Sequence, residues 1–333
     1  MICETLVLNP QRNVTLTAYI QEVGGSFSYI PKRPAILVIP GGGYQYCSNR
    51  ESDPVALAYL KAGFQAFVLR YSVGSHAVWP NPLEDYEQAM ELIRAKADQW
   101  NLYPDKVAVI GFSAGGHLAA AAATMSRNRP NAAILGYAVT EDVTGCNPTA
   151  PDPVAAVDRN TCPCFIFATR TDEIVPVENS VNFMSAMIRA GISFESHIYS
   201  YGPHGFSTCE TAVFETSRLH SDRVPNWVED SIGWLKEILG DFGDGEMTAP
   251  KCKPYVSDDF AETLSVDCTI GHLLKNESAR LVLKDLVAQA EQFGAEQAPL
   301  FGKMTPRGLY GFMKVPKEVI EALDAQLKKI KNS

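Results

Sequence analysis

One serine stands in surroundings that could make it a nucleophile. The stretch Gly111-Phe112-Ser113-Ala114-Gly115 follows a short apolar, β-branched run and precedes an alanine-rich segment. The run predicts a buried strand and the alanines predict a helix. A strand, a sharp turn and a helix are the context in which G-x-S-x-G exposes its serine at a strand end. The backbone N–H of Ala114 then lies at a helix N-terminus, where it can donate to an oxyanion.

A serine hydroxyl needs a neighbouring base, and histidine is the usual one because its pKa lies near neutrality. The six histidines are at positions 76, 117, 197, 204, 220 and 272. We expect His204 to be the base because it follows a predicted strand, between a proline and a glycine. The alternative is that Gly-Pro-His-Gly is only a surface turn. His117, one turn past the serine, is expected to pack or to cap the helix there.

A carboxylate must orient the imidazole and stabilise its protonated form. Asp172 is the favoured candidate because it comes just after a predicted strand at 164–168. Its neighbour Glu173 could take the role instead. Glu141 and Asp142, which follow the preceding predicted strand, are the weaker alternatives.

A loop after an early strand should complete the oxyanion hole. The glycines of Pro40-Gly41-Gly42-Gly43-Tyr44 follow a buried apolar run, and glycine lets backbone N–H groups turn toward a ligand unobstructed. We expect the amide of Gly42 or Gly43 to act beside that of Ala114. The alternative is that the triple glycine is only a flexible turn.

Strands and helices alternate through most of the chain. A hairpin is predicted at 6–8 and 14–21, strands at 34–40, 64–71, 107–110, 132–139, 164–168 and 194–200, and helices at 55–62, 82–100, 177–190 and 225–239. This alternation predicts an α/β fold, with a mostly parallel central sheet and helices on both faces. The candidate loops all follow strands, so they share the edge at which such sheets bind ligands. The chain order Ser113, Asp172, His204 is that of the α/β-hydrolase fold.

The alternation stops near residue 240. We predict a catalytic domain at 1–242, a linker at 243–258 and a small helical module at 259–333. The module carries helical patterns at 279–291 and 316–330, and Thr305-Pro306 is typical of a helix start. We interpret this module as a packing appendage without chemistry of its own. In the first domain, a long loop is predicted at 140–163, and it is the only sizeable segment without alternating strands and helices.

Four stretches together resemble a known family: VIPGGGY at 38–44, GFSAGGHL at 111–118, TDEIVPV at 171–177 and GPHGF at 202–206. Residues 1–240 resemble α/β-hydrolases of the esterase/lipase class, more narrowly the bacterial acetyl-xylan-esterase-like and feruloyl-esterase-like carboxylesterases of plant-polysaccharide degradation. Pro40 stands where hormone-sensitive-lipase-like esterases have histidine, a variant familiar in the carbohydrate-linked group. The tail from about 255 more faintly resembles helical modules appended to some gut and rumen bacterial esterases and glycosidases.

The resemblance implies a serine carboxylesterase that removes short acyl groups, acetyl or feruloyl, from plant-polysaccharide sugars. Tyr44, Tyr137 and Phe206 lie near the predicted site loops and could stack on a sugar or feruloyl ring; core packing is the alternative. A serine peptidase would use the same triad, but the peptidases of this fold commonly carry a large N-terminal propeller. A non-catalytic ligand-binding module typically lacks a triad member, and here all three positions are filled.

Composition limits the remaining function classes. The net charge of −9 favours neither nucleic acid nor anionic membranes as partners. We expect no signal peptide, no membrane span and a cytoplasmic protein, with a small-molecule or oligosaccharide ester as partner. The eight cysteines are spread along the chain, which favours free thiols. We expect no metal site and no cofactor, and the sequence does not predict an oligomeric state.

Overall fold

An eight-stranded sheet runs through Met1–Pro254, the first of two units in this computed structural model, which describes residues 1–284, 288 and 294–332. The strands are β1 (Ile2–Asn9), β2 (Val14–Ile20), β3 (Arg33–Ile39), β4 (Gln65–Arg70), β5 (Leu102–Phe112), β6 (Ala132–Gly136), β7 (Cys164–Thr169) and β8 (Phe194–Tyr199). Their order is β1-β2-β4-β3-β5-β6-β7-β8. β2 is antiparallel to both β1 and β4, and β3 to β8 pair in parallel. The predicted mostly parallel α/β sheet is confirmed.

The burial of the strands follows from their place in the sheet. All residues of β3 and β7 are buried, because parallel strands carry helices on both faces and are therefore apolar throughout. β2 instead alternates buried and half-buried residues, which is the period-two pattern of a strand with one core-facing side. Because β3, β5 and β7 run in the same direction, their carboxyl ends meet at one edge of the sheet.

Four helices connect these strands, and a fifth follows β8. They are α1 (Asp53–Lys61), α2 (Asn81–Ala95), α3 (Ser113–Thr124), α4 (Glu178–Ala190) and α5 (Trp227–Leu239). The alanines of α3 are fully buried, and their small side chains let the helix pack closely against the sheet. None of the helices in the described part of the chain is long and apolar enough to cross a membrane.

Some predicted boundaries are wrong. The helix expected at 82–100 ends at Ala95, and β5 begins at Leu102, five residues before the predicted strand. β6 ends at Gly136 and not at 139, because Tyr137 takes a positive φ of 35° that strand geometry does not allow. In each case the apolar pattern predicted the helix or strand correctly but did not show where it begins or ends.

The long segment 140–163 is anchored to the rest of its unit. It contains 3₁₀ turns at Val143–Gly145 and Pro153–Ala156. The side-chain carbonyl of Asn179 accepts the N–H of Thr140 at 2.7 Å, and the Asn147 amide donates to the Ala77 carbonyl at 2.8 Å. The segment is therefore held against both α4 and the chain before α2.

The second unit, Tyr255–Ser333, is helical in its described part. Its helices are Ile270–Leu273, Glu277–Val282, Gly294–Lys303, Pro306–Phe312 and Lys317–Leu327. The Thr305 hydroxyl accepts the N–H of Gly308 at 3.1 Å, which caps the helix predicted to start there. The helical pattern at 279–291 falls partly outside the described residues. The predicted linker, 243–258, contains the point at which the two units divide, and the predicted domain limits remain a prediction.

Candidate active site

Ser113 occupies a strained turn with no residue between strand and helix. β5 ends at Phe112 and α3 begins at Ser113, which has a left-handed φ of 53°. A Cβ added to Gly115 would lie 2.3 Å from the carbonyl oxygens of both Ile39 and Pro40. Glycine at 115 is therefore required for the helix to approach the end of β3 this closely. The turn holds Ser113 at the carboxyl edge of the sheet, as G-x-S-x-G predicts.

The structure brings Ser113, His204 and Asp172 together in a line of hydrogen bonds. The Ser113 Oγ lies 2.9 Å from the His204 Nε2, and the His204 Nδ1 lies 2.7 Å from the Asp172 Oδ2. The other carboxylate oxygen of Asp172 accepts the N–H groups of Ile174 and Val175 at 2.9 and 2.8 Å. With Nδ1–H donated to the carboxylate, Nε2 is left to accept the serine proton.

The other candidate carboxylates lie elsewhere. Glu173 accepts the backbone N–H of His204 at 3.4 Å and pairs with Arg218 at 3.2 Å, without contacting the imidazole. Glu141 accepts the Asn182 amide at 2.6 Å, and Asp142 is exposed at the start of a 3₁₀ turn. Of the four candidate carboxylates, Asp172 is the one bound to the imidazole of His204.

The glycines after β3 form a tight loop, residues 40–44, which we name the oxyanion loop. The N–H of Gly41 donates to the Glu51 carboxylate at 2.9 Å, whereas the amides of Gly42 and Gly43 have no acceptor within the described part of the chain. Both of these glycines have positive φ, 126° and 59°. Ala114, the other predicted donor, is the second residue of α3. The structure leaves both Gly42 and Gly43 as candidate donors.

A cavity of about 430 Å³ opens beside Ser113. It is lined by residues of the oxyanion loop, the segment after it and the loops after β7 and β8: Gly42, Gly43, Tyr46, Ser48, Arg50, Glu51, Ser113, Glu173, Ile174, His204, Gly205 and Arg218. Tyr46 is 60% exposed on its wall. Serine and histidine thus face a space that can hold a small ester.

Three aromatic residues expected to contact substrate do not reach this cavity, and that prediction is wrong. Tyr44 and Phe206 are fully buried and Tyr137 is 1% exposed. Tyr44 bonds the imidazole of His117, while the ring of Tyr137 packs edge-to-face with both Phe206 and His204. These side chains lie beneath the site loops because their rings are part of the apolar core, and the alternative of core packing is correct.

Sequence reasoning missed Glu51. Its carboxylate is 4% exposed and accepts both the Gly41 N–H and the Tyr137 hydroxyl, the latter at 2.7 Å. The Tyr137 oxygen in turn accepts the N–H of Ser207 at 3.1 Å. Glu51 lies in the polar stretch SNRESD, a composition typical of an exposed helix start. No local signal indicated that it is buried beside the serine.

His117 packs inside the protein, as expected. Its Nδ1 lies 2.6 Å from the Tyr44 hydroxyl and its Nε2 lies 2.9 Å from the Pro151 carbonyl oxygen. Burial lowers the pKa of His117 to about 4. The neutral tautomer with the proton on Nε2 fits both contacts, because Nδ1 then accepts from Tyr44. His117 thereby ties the oxyanion loop to the long segment 140–163.

Thiols and metal-binding groups are dispersed. All eight cysteines are free. Within residues 1–284, 288 and 294–332, histidine, cysteine and carboxylate side chains do not gather into groups of three or more that could hold a metal ion.

The curated relatives of this chain include an acetylxylan esterase and a xylanase. The BD-FAE family model matches residues 29–130. The chain is 32% identical over 265 residues to an acetylxylan esterase of Xylanibacter ruminicola, with 72% of this chain and 53% of that protein covered. It is 33% identical over 215 residues to endo-1,4-beta-xylanase B of Butyrivibrio fibrisolvens, with 55% of this chain and 34% of the xylanase covered. This chain thus spans about one third to one half of the length of these curated relatives.

A solved structure matches over nearly its whole length. An α/β-hydrolase enzyme from a Medee basin deep-sea metagenome library is 42% identical, with a TM-score of 0.67, and the match covers 72% of this chain and 98% of that enzyme. The strand order, the strained turn at Ser113 and the matched structure all indicate the same fold, that of the α/β-hydrolases. The chain belongs to the α/β-hydrolase family of esterases and lipases, which are carboxylic ester hydrolases, and it resembles acetylxylan esterases.

Proposed function

We propose that the protein is a serine carboxylesterase that hydrolyses short-chain acyl esters, above all acetyl groups, on sugars derived from plant polysaccharides. The observation that carries the proposal is the 2.9 Å contact between the Ser113 Oγ and the His204 Nε2, with Asp172 bound behind it at 2.7 Å. A hydroxyl bonded to an oriented imidazole, in a strained turn at a cavity, is the arrangement that activates serine toward acyl carbonyls.

The first half of the proposed reaction transfers the acyl group to Ser113. The His204 Nε2 takes the hydroxyl proton as Oγ bonds to the ester carbonyl carbon, and the carbonyl electron pair moves to oxygen. The amides of Ala114 and of Gly42 or Gly43 donate to that oxyanion. As the carbonyl re-forms, the bond to the alcohol oxygen breaks, and His204 protonates the leaving alcohol.

The second half releases the acid. A water gives its proton to the His204 Nε2 while its oxygen bonds to the acyl carbon, and the same amides hold the second oxyanion. When this intermediate collapses, the bond to the Ser113 Oγ breaks and His204 returns the proton to that oxygen. The Asp172 carboxylate stabilises the imidazolium in both halves. These steps use only the chain and water.

The preference for acetyl groups on xylan-derived sugars rests on the relatives. One is named acetylxylan esterase and another is named a xylanase. Tyr46 forms an exposed part of the cavity wall. The sugar that carries the ester could lie against this wall while the ester bond lies at Ser113. Feruloyl esters are the alternative acyl group, a serine peptidase remains the alternative activity, and a non-catalytic ligand-binding module remains the alternative role.

A substrate panel tests the proposal. The full chain and its Ser113→Ala variant are assayed on acetylated xylo-oligosaccharides, feruloyl and butyryl esters, a long-chain lipid emulsion and aminoacyl amides. We expect turnover of the acetylated xylo-oligosaccharides, and loss of turnover and of fluorophosphonate labelling in the variant. Good turnover of lipid or of aminoacyl amides, with none of the acetylated sugars, contradicts the substrate assignment. Turnover by Ser113→Ala contradicts the mechanism.

A further inference from the structure

Glu51 is a buried carboxylate that accepts hydrogen bonds from the oxyanion loop and from the Tyr137 hydroxyl. We infer that it is a positioning residue, which holds the oxyanion loop and the histidine loop (residues 201–207) in one arrangement around the serine. The inference rests on the proposed esterase function, because it concerns how well the site stabilises the oxyanion of that reaction.

Glu51 is bound by neutral donors. Its Oε2 accepts the Gly41 N–H at 2.9 Å and its Oε1 accepts the Tyr137 hydroxyl at 2.7 Å. Within the part of the chain that the structure describes, Glu51 forms no ion pair with a lysine, arginine or histidine. Burying a carboxylate without a cation is costly unless hydrogen bonds satisfy it. Its two donors therefore bind it firmly. One belongs to the oxyanion loop, and the other, Tyr137, packs against His204.

The first contact acts on the oxyanion loop. With the Gly41 N–H turned toward Glu51, the next two amides of the loop remain free to face the cavity. Packing leaves the loop little room, since a Cβ on Gly41 would lie 2.8 Å from the Glu51 carboxylate and 3.0 Å from the Ser113 Cβ. A shift of about 1 Å in such groups can lower a rate about 100-fold.

The second contact acts on the histidine loop. The Tyr137 oxygen accepts the Ser207 N–H at 3.1 Å, and the Tyr137 ring lies edge-to-face against His204 with centroids 5.0 Å apart. The Ser207 hydroxyl also donates to the carbonyl of Arg50 at 2.6 Å, beside Glu51 in the chain. Two hydrogen-bonded paths therefore join the segment of Glu51 to the loop that carries the base.

Glu87 provides a matched control. It is also a buried carboxylate, 7% exposed, that accepts the Ser126 hydroxyl at 2.9 Å and the backbone N–H of Arg127 at 3.0 Å. Unlike Glu51 it also pairs with a cation, the Arg127 guanidinium, whose Nε lies 3.1 Å from its Oε2. It lies on α2 and does not line the active-site cavity. A Glu87→Gln change should lower the stability and leave the reaction rate unchanged. It therefore distinguishes the effect of losing a buried carboxylate from the effect of losing a contact that positions the active site.

The test measures transition-state stabilisation in Glu51→Gln and Glu51→Asp. Purified variants of this whole chain are assayed on p-nitrophenyl acetate for kcat and KM. Their inhibition constant is measured with a trifluoromethyl ketone, whose Ser113 adduct mimics the tetrahedral oxyanion. We expect kcat to fall about 10- to 100-fold with KM within about twofold, and the inhibition constant to rise by the same factor. Glu87→Gln should lower the melting temperature and leave kcat and the inhibition constant unchanged.

The outcomes separate this inference from the proposed function. A folded Glu51→Gln variant with unchanged kcat and inhibition constant overturns the inference, as does a rise in KM alone. If the Glu51 variants do not fold, Tyr137→Phe replaces them, because it removes the hydroxyl and keeps the ring. It should lower kcat about 10-fold, and an unchanged kcat overturns the inference. Hydrolysis by Ser113→Ala would instead overturn the esterase mechanism, whatever Glu51 does.

Discussion

The Nδ1 atom of His204 lies 2.7 Å from the Oδ2 atom of Asp172, and the side chain of this aspartate is completely buried. The His204 side chain is 14% exposed, so the pair joins a buried carboxylate to an imidazole at the cavity. Because Asp172 also accepts two backbone N–H groups, its orientation is set before any ligand binds. The aspartate thereby selects the histidine tautomer that faces Ser113.

Replacing Asp172 by asparagine should lower kcat by about 10³- to 10⁴-fold, because the amide favours the wrong tautomer of His204. Steady-state kinetics on an acetyl ester measure the loss. Glu173→Gln, which alters the neighbouring carboxylate without touching the imidazole, should cost much less. A larger loss for Glu173→Gln than for Asp172→Asn contradicts the assignment of Asp172.

The two candidate oxyanion glycines differ in the space around them. A Cβ on Gly42 would lie 2.1 Å from the carbonyl oxygen of Tyr46, whereas a Cβ on Gly43 meets nothing within 4 Å. Gly42→Ala should therefore distort the oxyanion loop and lower kcat about 100-fold or more. Gly43→Ala adds only the strain of a left-handed alanine, about 1 kcal/mol. Equal kcat values for the two folded variants would show that the loop tolerates a side chain at 42.

The close contact of Gly115 with the end of β3 predicts a stability effect. Gly115→Ala places its Cβ 2.3 Å from two carbonyl oxygens, so strand and helix must separate at a cost of about 3 kcal/mol or more. Gly145→Ala is the matched control, because a Cβ there meets nothing within 4 Å. Urea unfolding of both variants measures the difference. A Gly115→Ala variant as stable as the control would contradict this packing.

His117 predicts a pH-dependent stability. Its folded pKa is about 4, below the ordinary value of 6.5, because burial disfavours the charged form. The unfolded chain therefore binds a proton at a higher pH than the folded chain does. Stability from this group is complete above pH 6.5 and is lost as the pH falls toward 4, up to about 3 kcal/mol. His117→Asn should flatten this loss in urea unfolding between pH 7.5 and 4.5. An equal pH slope in both proteins rules His117 out as its cause.

Local patterns predicted the architecture well. Apolar runs and helical spacing located the strands and helices of the sheet, because each element must bury an apolar face whose period the sequence shows. Strand ends were less well predicted, as at Gly136, where the turn into Tyr137 depends on contacts that are distant in the chain. The end of α2 was likewise predicted too far along the chain. The helix stops at Ala95, and Trp100 is buried in a turn beyond it.

The sequence by itself determined the fold class, the strained serine turn and the chain order of Ser113, Asp172 and His204, because short motifs specify turns and strand ends. Only the tertiary structure decided that Asp172 binds His204, that Tyr137 lies beneath the site, and that Glu51 is buried against the oxyanion loop. Such contacts join residues 10 to 86 positions apart in the chain. They follow from how the elements pack together, and no local spacing records them.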